Sequence, residues 1–156
     1  MQSTTAPTVP NVPQPGSHGL RREFFNHSSL HWNNFDSIGA YKETLLTQFE
    51  SETNIYDRIG NRMKGWFVAP ETTQYRFHMA CDDDCYFKIG LNTSDPLRLT
   101  TMVSTTSWKP TRYYFTMIND LKSDWVNLTK GEAYYITGRH LEGHGGDNYA
   151  VGVEIN

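Results

Sequence analysis

Three consecutive aspartates stand between two cysteines in the middle of the chain, in the order Cys81, Asp82, Asp83, Asp84, Cys85. Adjacent carboxylates repel one another, and folded proteins usually offset that repulsion with hydrogen bonds, a basic neighbour or a bound cation. A hard cation such as Ca²⁺ takes about six to eight oxygen ligands, which carboxylates, loop carbonyls and water can supply. The alternative is an acidic turn whose aspartates accept hydrogen bonds from backbone amides and face solvent. The residues alone leave both interpretations open.

Other sites that this acidic stretch could belong to are excluded by spacing. An EF-hand needs alternating acidic positions and a glutamate at its last position, and both are missing. Adjacent carboxylates on one turn cannot flank a glycosidic bond at the separation of about 5 Å or more that glycosidases require. The sequence also contains no nucleophile elbow, no His-Glu-x-x-His motif and no phosphate loop. We therefore expect a protein that is not an enzyme.

The acidic stretch lies between two runs in which apolar and polar residues alternate, at residues 73–79 and 85–89, which predicts a turn between two half-buried strands. Aromatic residues make up 13% of the chain and charged residues 20%, a balance that favours an all-β core over a helical bundle. Residues 41–50 predict a short helix, since three large apolar side chains repeat there at helical spacing. Further strands are predicted at residues 20–25, 63–70, 97–103, 113–118, 125–128, 133–137 and 149–155, with a weaker one at 55–59. Roughly eight to eleven short strands predict an antiparallel β-sandwich or barrel with short helical turns.

The ends of the chain differ in composition. Residues 1–18 contain four of the seven prolines with Thr, Ser and Gln between them, which predicts a flexible proline-rich linker. Residues 19–156 have the length of one folded domain. The net charge is −3 and no basic stripe exists, so nucleic acid is not an expected partner. No apolar run approaches the roughly 20 residues that span a bilayer, so we expect contact with a membrane only through the anchor of a parent protein.

Three Asn-x-Ser/Thr sequons begin at Asn26, Asn92 and Asn127. Together with a closely spaced cysteine pair, they favour a secreted or cell-surface origin. The start of the sequence has neither the basic region nor the apolar core of a signal peptide. We therefore expect an ectodomain fragment of a membrane-anchored extracellular protein, carrying an added start methionine.

Four motifs occur in an order that resembles a known family. They are an opening glycine followed by an aromatic-ended strand (residues 19–25), a segment with Gly65, Pro70 and Tyr75 at fixed positions (residues 62–77), the aspartate pair followed by Phe87 and Ile89, and a Leu-x-x-Gly-x-x-Tyr-x-Ile strand (residues 128–136). This order resembles the PA-14 domain, named after a fragment of anthrax protective antigen. The resemblance covers residues 19–155 and is greatest to the domain in fibrocystin and fibrocystin-L, large glycoproteins of cilia and cell coats.

The resemblance implies a β-sandwich with a non-catalytic binding role. In the yeast adhesin relatives, two adjacent aspartates joined by a cis peptide bind calcium, and calcium then coordinates sugar hydroxyls. Carried over by position, the pair is Asp82 and Asp83, with Asp84 where the family often has glycine. A second loop supplies further ligands in those lectins. Here that loop would be residues 142–148, with Asp147 and Asn148 as candidate ligands, although it departs from the adhesin pattern.

Cys81 and Cys85 are open to three interpretations: a disulfide, a metal-binding pair or free thiols. In an extended strand their Cα atoms would lie about 13 Å apart, beyond the limit of about 7 Å for a bridge. A disulfide therefore requires a sharp turn at the aspartates, which a cis peptide of the kind the resemblance implies would help to form. Zinc is disfavoured because partner thiolates are missing. We predict a local disulfide that rigidifies the acidic turn.

Two hypotheses for the function follow. The first is an extracellular binding or adhesion module that holds calcium at the acidic turn and recognises a glycan. The second is a structural module, or a protein-interaction module of a cell-surface coat, in which the acidic turn binds nothing. The expected partners are a glycan or an extracellular protein, and the neighbouring domains of the parent chain. His144, Trp32 and Trp108 are weak ligand candidates, since loop histidines are usually solvated and tryptophans usually pack.

Overall fold

A computed structural model describes residue 14 and residues 19–26, 35–112 and 121–156. The proposed linker, apart from Gln14, lies outside the described residues, and so do Trp32 and the strand predicted at residues 113–118. Within the described part of the chain, no helix has the length and apolar character needed to cross a membrane.

The described residues form nine β-strands that pair antiparallel in two sheets. In chain order the strands are β1 (Leu20–Asn26), β2 (Lys42–Leu46), β3 (Ile59–Val68), β4 (Thr73–Asp82), β5 (Asp84–Ile89), β6 (Thr100–Thr105), β7 (Val126–Leu128), β8 (Ala133–Leu141) and β9 (Asn148–Ile155). The larger sheet has the order β2-β1-β3-β8-β5-β6, and the smaller sheet has the order β7-β4-β9. The predicted all-β antiparallel sandwich is confirmed.

Alternation along the strands builds the core between the two sheets. In β5 the side chains of Cys85, Phe87 and Ile89 are buried, whereas their neighbours in the strand are partly exposed. Phe87 meets Phe77 of the smaller sheet with ring centroids 5.0 Å apart. Such aromatic contacts between sheets bury large apolar area, which is the main favourable term in folding. The alternation of apolar and polar residues in the sequence therefore matches the alternation of buried and partly exposed side chains in β5.

The short helix predicted at residues 41–50 is wrong, because this segment contains the edge strand β2. Tyr41 is 62% exposed and Leu45 is 71% exposed, so the residues that repeat at helical spacing do not form a buried face. The strand instead satisfies its backbone by pairing with β1, where Leu45 lies opposite Arg21. The weaker strand predicted at residues 55–59 is also wrong for most of its length, since β3 begins only at Ile59.

Two connections between the sheets run side by side. Asp83 alone separates β4 in the smaller sheet from β5 in the larger sheet. Residues 142–147 connect β8 in the larger sheet back to β9 in the smaller one. The register holds them together, because Asp82 pairs with Asn148 and Asp84 pairs with Leu141. The acidic turn is therefore flanked on both sides by the ends of the loop at 142–147.

Candidate functional site

Three carboxylates converge where these two connections meet. Asp82, Asp83 and Glu142 each offer one oxygen, and the three oxygens lie within 4.8 Å of one another. The peptide bond between Asp82 and Asp83 is cis. Glu142 is fully buried, and neither of its carboxylate oxygens has a hydrogen-bond partner among the described residues. A buried, unpartnered carboxylate facing two others is the kind of oxygen-rich environment that a hard divalent cation fits.

The electrostatics of the acidic turn agree with this geometry. Burial raises the pKa of Asp82 to about 6, together with a hydrogen bond to Asp83 and the charges of Asp83 and Glu142, while His140 acts in the opposite direction. Burial and the charge of Asp83 also raise the pKa of Asp84. Each shift means that the ionised carboxylate is disfavoured by its surroundings. A cation among these carboxylates would relieve that repulsion.

Glycines in the loop at residues 142–147 allow its backbone to approach the carboxylates. A Cβ atom at Gly143 would lie 3.0 Å from Asp83 Oδ2, the oxygen to which the Gly143 amide donates at 3.2 Å. A Cβ atom at Gly146 would lie 3.1 Å from Asn54 Oδ1 and 3.3 Å from Asp82 Oδ2. Any larger residue at Gly146 would therefore crowd both the Asn54 amide oxygen and the Asp82 carboxylate. The absence of side chains at Gly143 and Gly146 therefore lets the loop backbone come this close to the two aspartate carboxylates.

A third segment, residues 51–58, is held against this loop by hydrogen bonds. Asp147 Oδ1 accepts from the amides of Ile55 and Tyr56 at 2.6 and 3.3 Å. In addition, the Asn54 amide donates to the Asp147 carbonyl at 2.9 Å, and the Gly145 amide donates to Asp57 Oδ1 at 3.1 Å. These bonds place Asn54 beside the acidic turn. Asp147 thus organises the segment that carries Asn54.

The five predicted metal ligands have different surroundings in the structure. Asp82 and Asp83 face a common point, and Glu142 joins them there, whereas Asp84 and Asp147 do not belong to that group of three. Asn148 donates from Nδ2 to the Lys109 carbonyl at 3.0 Å, while its Oδ1 has no hydrogen-bond partner among the described residues.

Sequence reasoning missed Glu142 and Asn54 as candidate ligands. Glu142 opens the glycine-rich loop, which was a usable signal. Its distance from the acidic turn depends on the pairing of β8 with β5, which the sequence does not display.

The predicted disulfide is confirmed. Cys81 and Cys85 are bonded, their Cα atoms are 6.3 Å apart, and both side chains belong to the buried core. Cys81 lies in β4 and Cys85 in β5, so the bond connects the two sheets next to the aspartates. The acidic turn is therefore fixed covalently at both ends.

The weak ligand candidates that the structure describes lie at the surface near the site. Trp108 is 64% exposed. The next residue, Lys109, donates its amide to the Cys81 carbonyl at 2.6 Å, which fixes this segment beside the acidic turn. His144 is exposed within the loop at 142–147. The side chains of the three sequon asparagines, Asn26, Asn92 and Asn127, are exposed as well.

No protein-family model and no curated protein matches the sequence. Solved structures do match it. The PA-14 sugar-binding domain of an RTX adhesin is 10% identical, with a TM-score of 0.62 over 88% of this chain and 90% of that one. A subtype-switched epithelial adhesin A domain from Candida glabrata, in complex with β-lactose, is 13% identical, with a TM-score of 0.61 over 90% and 84%.

A β-glucosidase from Kluyveromyces marxianus, in complex with glucose, also matches, at 12% identity and a TM-score of 0.61 over 88% of this chain. The chain spans only 15% of the length of that enzyme. At such low sequence identities, these similarities establish the fold of the chain and not its function. The β-sandwich that carries the acidic turn has the PA-14 fold.

Proposed function

We propose that this chain is a non-catalytic extracellular binding module that holds calcium at Asp82, Asp83 and Glu142 and recognises a glycan at the same place. The observation that carries the proposal is the convergence of these three carboxylates, with Glu142 buried and unpartnered. A buried charge is normally paired with a cation or bound to a metal, because an uncompensated one is costly. The described neighbours of Glu142 donate no hydrogen bond to it, and His140 Nε2, which is charged only when the ring is protonated, lies 3.6 Å from Glu142 Oε2.

The donor set suits calcium better than zinc or a soft metal. All three converging groups are carboxylates, and Asn54 adds an amide oxygen next to Asp82. Calcium prefers oxygen ligands of this kind and tolerates irregular geometry. When bound, the ion would offer its open coordination positions to pairs of sugar hydroxyls. Trp108, exposed on a segment fixed to Cys81, would provide an aromatic face at the edge of the site.

The structural neighbours support a glycan as the partner. The RTX adhesin domain is a sugar-binding domain, and the Candida glabrata domain is in complex with β-lactose. Both cover more than four fifths of their own length in the alignment, so they correspond to this chain as whole modules. The β-glucosidase aligns over a small part of its length, and its activity is therefore not transferred. An extracellular protein carrying the glycan would be an equivalent partner.

A cell-surface origin fits the same features. The disulfide belongs to an oxidising compartment, and the sequon asparagines are exposed where a glycan could be attached. We infer that the parent is a large cell-surface glycoprotein of the fibrocystin type, in which residues 1–18 link this domain to a preceding one. Neighbouring domains of that parent would then be further partners.

The second candidate function is a structural or protein-interaction module without a metal. The disulfide favours it, because a turn that is fixed covalently at Cys81 and Cys85 does not need an ion to keep its shape. Under this hypothesis the three carboxylates would bind no ligand, and the domain would act as a spacer or contact another protein elsewhere on its surface.

Calcium titration of the metal-stripped chain by isothermal calorimetry separates the two functions. We expect saturable binding, and we expect Asp83→Asn and Glu142→Gln each to weaken it at least tenfold, because each removes one carboxylate from the convergent group. Asp95→Asn, an exposed aspartate in the loop after β5, is the matched control and should bind as the unaltered chain does. Absence of binding, or equal effects of all three variants, would favour the structural module. A glycan array with and without calcium then identifies the sugar.

A further inference from the structure

His140 connects the buried interior of the larger sheet to the acidic turn. It lies on β8, it is fully buried, and its Nε2 is 2.5 Å from the backbone carbonyl oxygen of Asp82. A carbonyl oxygen can only accept a hydrogen bond. This contact is therefore a bond only if the ring carries its proton on Nε2. Which ring nitrogen is protonated depends on what lies at the other side of the imidazole.

The other side of the ring is fixed by an amide and a guanidinium. Asn61 Nδ2 lies 3.2 Å from His140 Nδ1, and Asn61 Oδ1 accepts from Arg22 Nε at 3.0 Å. A guanidinium has only donors, so the oxygen of the Asn61 amide must face Arg22. The nitrogen of that amide must then face His140 and donate to Nδ1. This order of donors requires the Nε2-H tautomer, which donates to Asp82.

The three side chains occupy neighbouring strands and are all fully buried. Asn61 on β3 lies directly opposite His140 on β8, and Arg22 lies on the adjoining strand β1. Arg22 is itself held by an ion pair with Glu52 and by the ring of Phe24, whose centroid is 4.3 Å from its guanidinium carbon. Polar groups at such depth are costly unless every donor finds its acceptor. Arg22 Nη2 has no hydrogen-bond partner among the described residues, but each link from Arg22 Nε through Asn61 and His140 to the Asp82 carbonyl joins a donor to an acceptor.

We propose that Arg22, Asn61 and His140 form a buried relay that positions the acidic turn through the carbonyl of Asp82. The inference rests on the proposed function in one respect, namely that the turn holds calcium. His140 is a positioning residue, since its Nε2 contacts the Asp82 carbonyl and lies 3.6 Å from Glu142 Oε2, so it acts on ligands rather than on the ion. Groups that orient metal ligands commonly change affinity by about ten- to a hundredfold when they are removed.

The tautomer is the direct test and does not depend on calcium. Long-range ¹H–¹⁵N correlation spectra of the metal-free chain assign the protonated nitrogen of each histidine ring. We expect His140 in the Nε2-H form, and Asn61→Leu should remove that preference because the ring loses its donor at Nδ1. An Nδ1-H ring in the unaltered chain would overturn the relay.

The effect on binding is tested with a matched pair of variants. His140→Gln keeps an N–H group that can donate to the Asp82 carbonyl, whereas His140→Leu fills the space without a donor. We expect His140→Leu to weaken calcium binding about tenfold or more, and His140→Gln to stay within about threefold of the unaltered chain. Equal losses in both variants would mean that the imidazole acts by packing alone and would overturn the proposal.

The outcome for the relay can be separated from the outcome for the proposed function. If the unaltered chain binds no calcium, the proposed function fails. The relay is then judged by the tautomer and by hydrogen exchange at the amides of Asp83 and Asp84. Faster exchange in His140→Leu than in His140→Gln supports the positioning role, and identical exchange in the two variants overturns it.

Discussion

At the scale of single residues, Asp82 connects the electrostatics of the site to the stability of the chain. Burial and its acidic neighbours raise its pKa from 3.8 to about 6. A carboxyl group whose pKa is higher in the folded state contributes stability that is complete below about pH 4 and is lost as the pH rises through about 6. In the calcium-free chain, ionised Asp82 is therefore expected to destabilise the fold at pH 7.

Asp82→Asn should remove this pH-dependent contribution. Without calcium, we expect the variant to be more stable than the unaltered chain at pH 7 by about 1 kcal/mol, a value reduced for solvent screening because the carboxyl is partly exposed. The difference should shrink towards zero near pH 4. Urea unfolding in the presence of a chelator, at intervals from pH 4 to pH 7.5, measures it. A difference that does not change with pH would contradict the shifted pKa.

Residue types predicted part of the site and missed the rest for an identifiable reason. Asp82 and Asp83 were proposed as candidates from the family resemblance, and the disulfide joins cysteines only four residues apart, so both concern residues that are close in sequence. Glu142 reaches the same point only because β8 pairs with β5. The contact between His140, near the end of β8, and Asp82 spans 58 residues of the sequence. Contacts of this separation leave no trace in local spacing. The relay through Asn61 was invisible for the same reason.

At the scale of elements, a buried cluster of charges holds β1 to β3. Glu23 on β1 is almost fully buried and pairs with Arg62 and Lys64 on β3, with 2.7 Å between Glu23 Oε1 and Lys64 Nζ. Lys64 is itself buried. Removing one partner from such a cluster leaves another charge uncompensated, which costs far more than the pair contributes.

We therefore expect Glu23→Gln to lower the free energy of unfolding by about 3 kcal/mol. Glu43→Gln is the matched control, because Glu43 lies opposite Glu23 on the edge strand β2 and pairs with Arg21 at an exposed position. An exposed pair is screened by solvent and contributes little, so we expect a much smaller loss for Glu43→Gln than for Glu23→Gln. Denaturant unfolding of both variants at pH 7 gives the comparison. Similar losses of unfolding free energy in the two variants would show that burial does not make the Glu23 ion pairs more important for stability than the exposed pair.

Strands that bury one face in the core could be predicted from the sequence, whereas the mostly exposed edge strand could not. Alternation in β5 identified both the strand and its core side, since the buried and exposed faces differ in polarity. Leu45 in the edge strand β2 and Tyr41 just before the strand are both exposed, so the apolar pattern of this segment did not indicate which residues are buried. Its pairing with β1, rather than its side chains, makes it a strand.

At the scale of the whole molecule, the candidate site lies across the sandwich. Asp82 ends β4 of the smaller sheet, and Glu142 follows the last residue of β8 in the larger sheet. Motif order predicted the sandwich and the acidic turn within it. It did not predict that the loop at 142–147 returns beside the turn, because that depends on how the two sheets are stacked. The site is therefore a property of the assembled fold.

This placement predicts that calcium stabilises the sandwich as a unit. A ligand that binds only the folded state at a hundredfold excess over its dissociation constant adds about 2.7 kcal/mol to the free energy of unfolding. Because the converging carboxylates come from both sheets, we expect this increase in the slowest-exchanging amides of β4 and of β8 alike. Native-state hydrogen exchange with calcium, and again after chelation, measures it strand by strand. Glu142→Gln should abolish the calcium-dependent increase in protection in β4 and β8 together. Protection confined to the acidic turn would instead show that bound calcium orders the loops without joining the sheets.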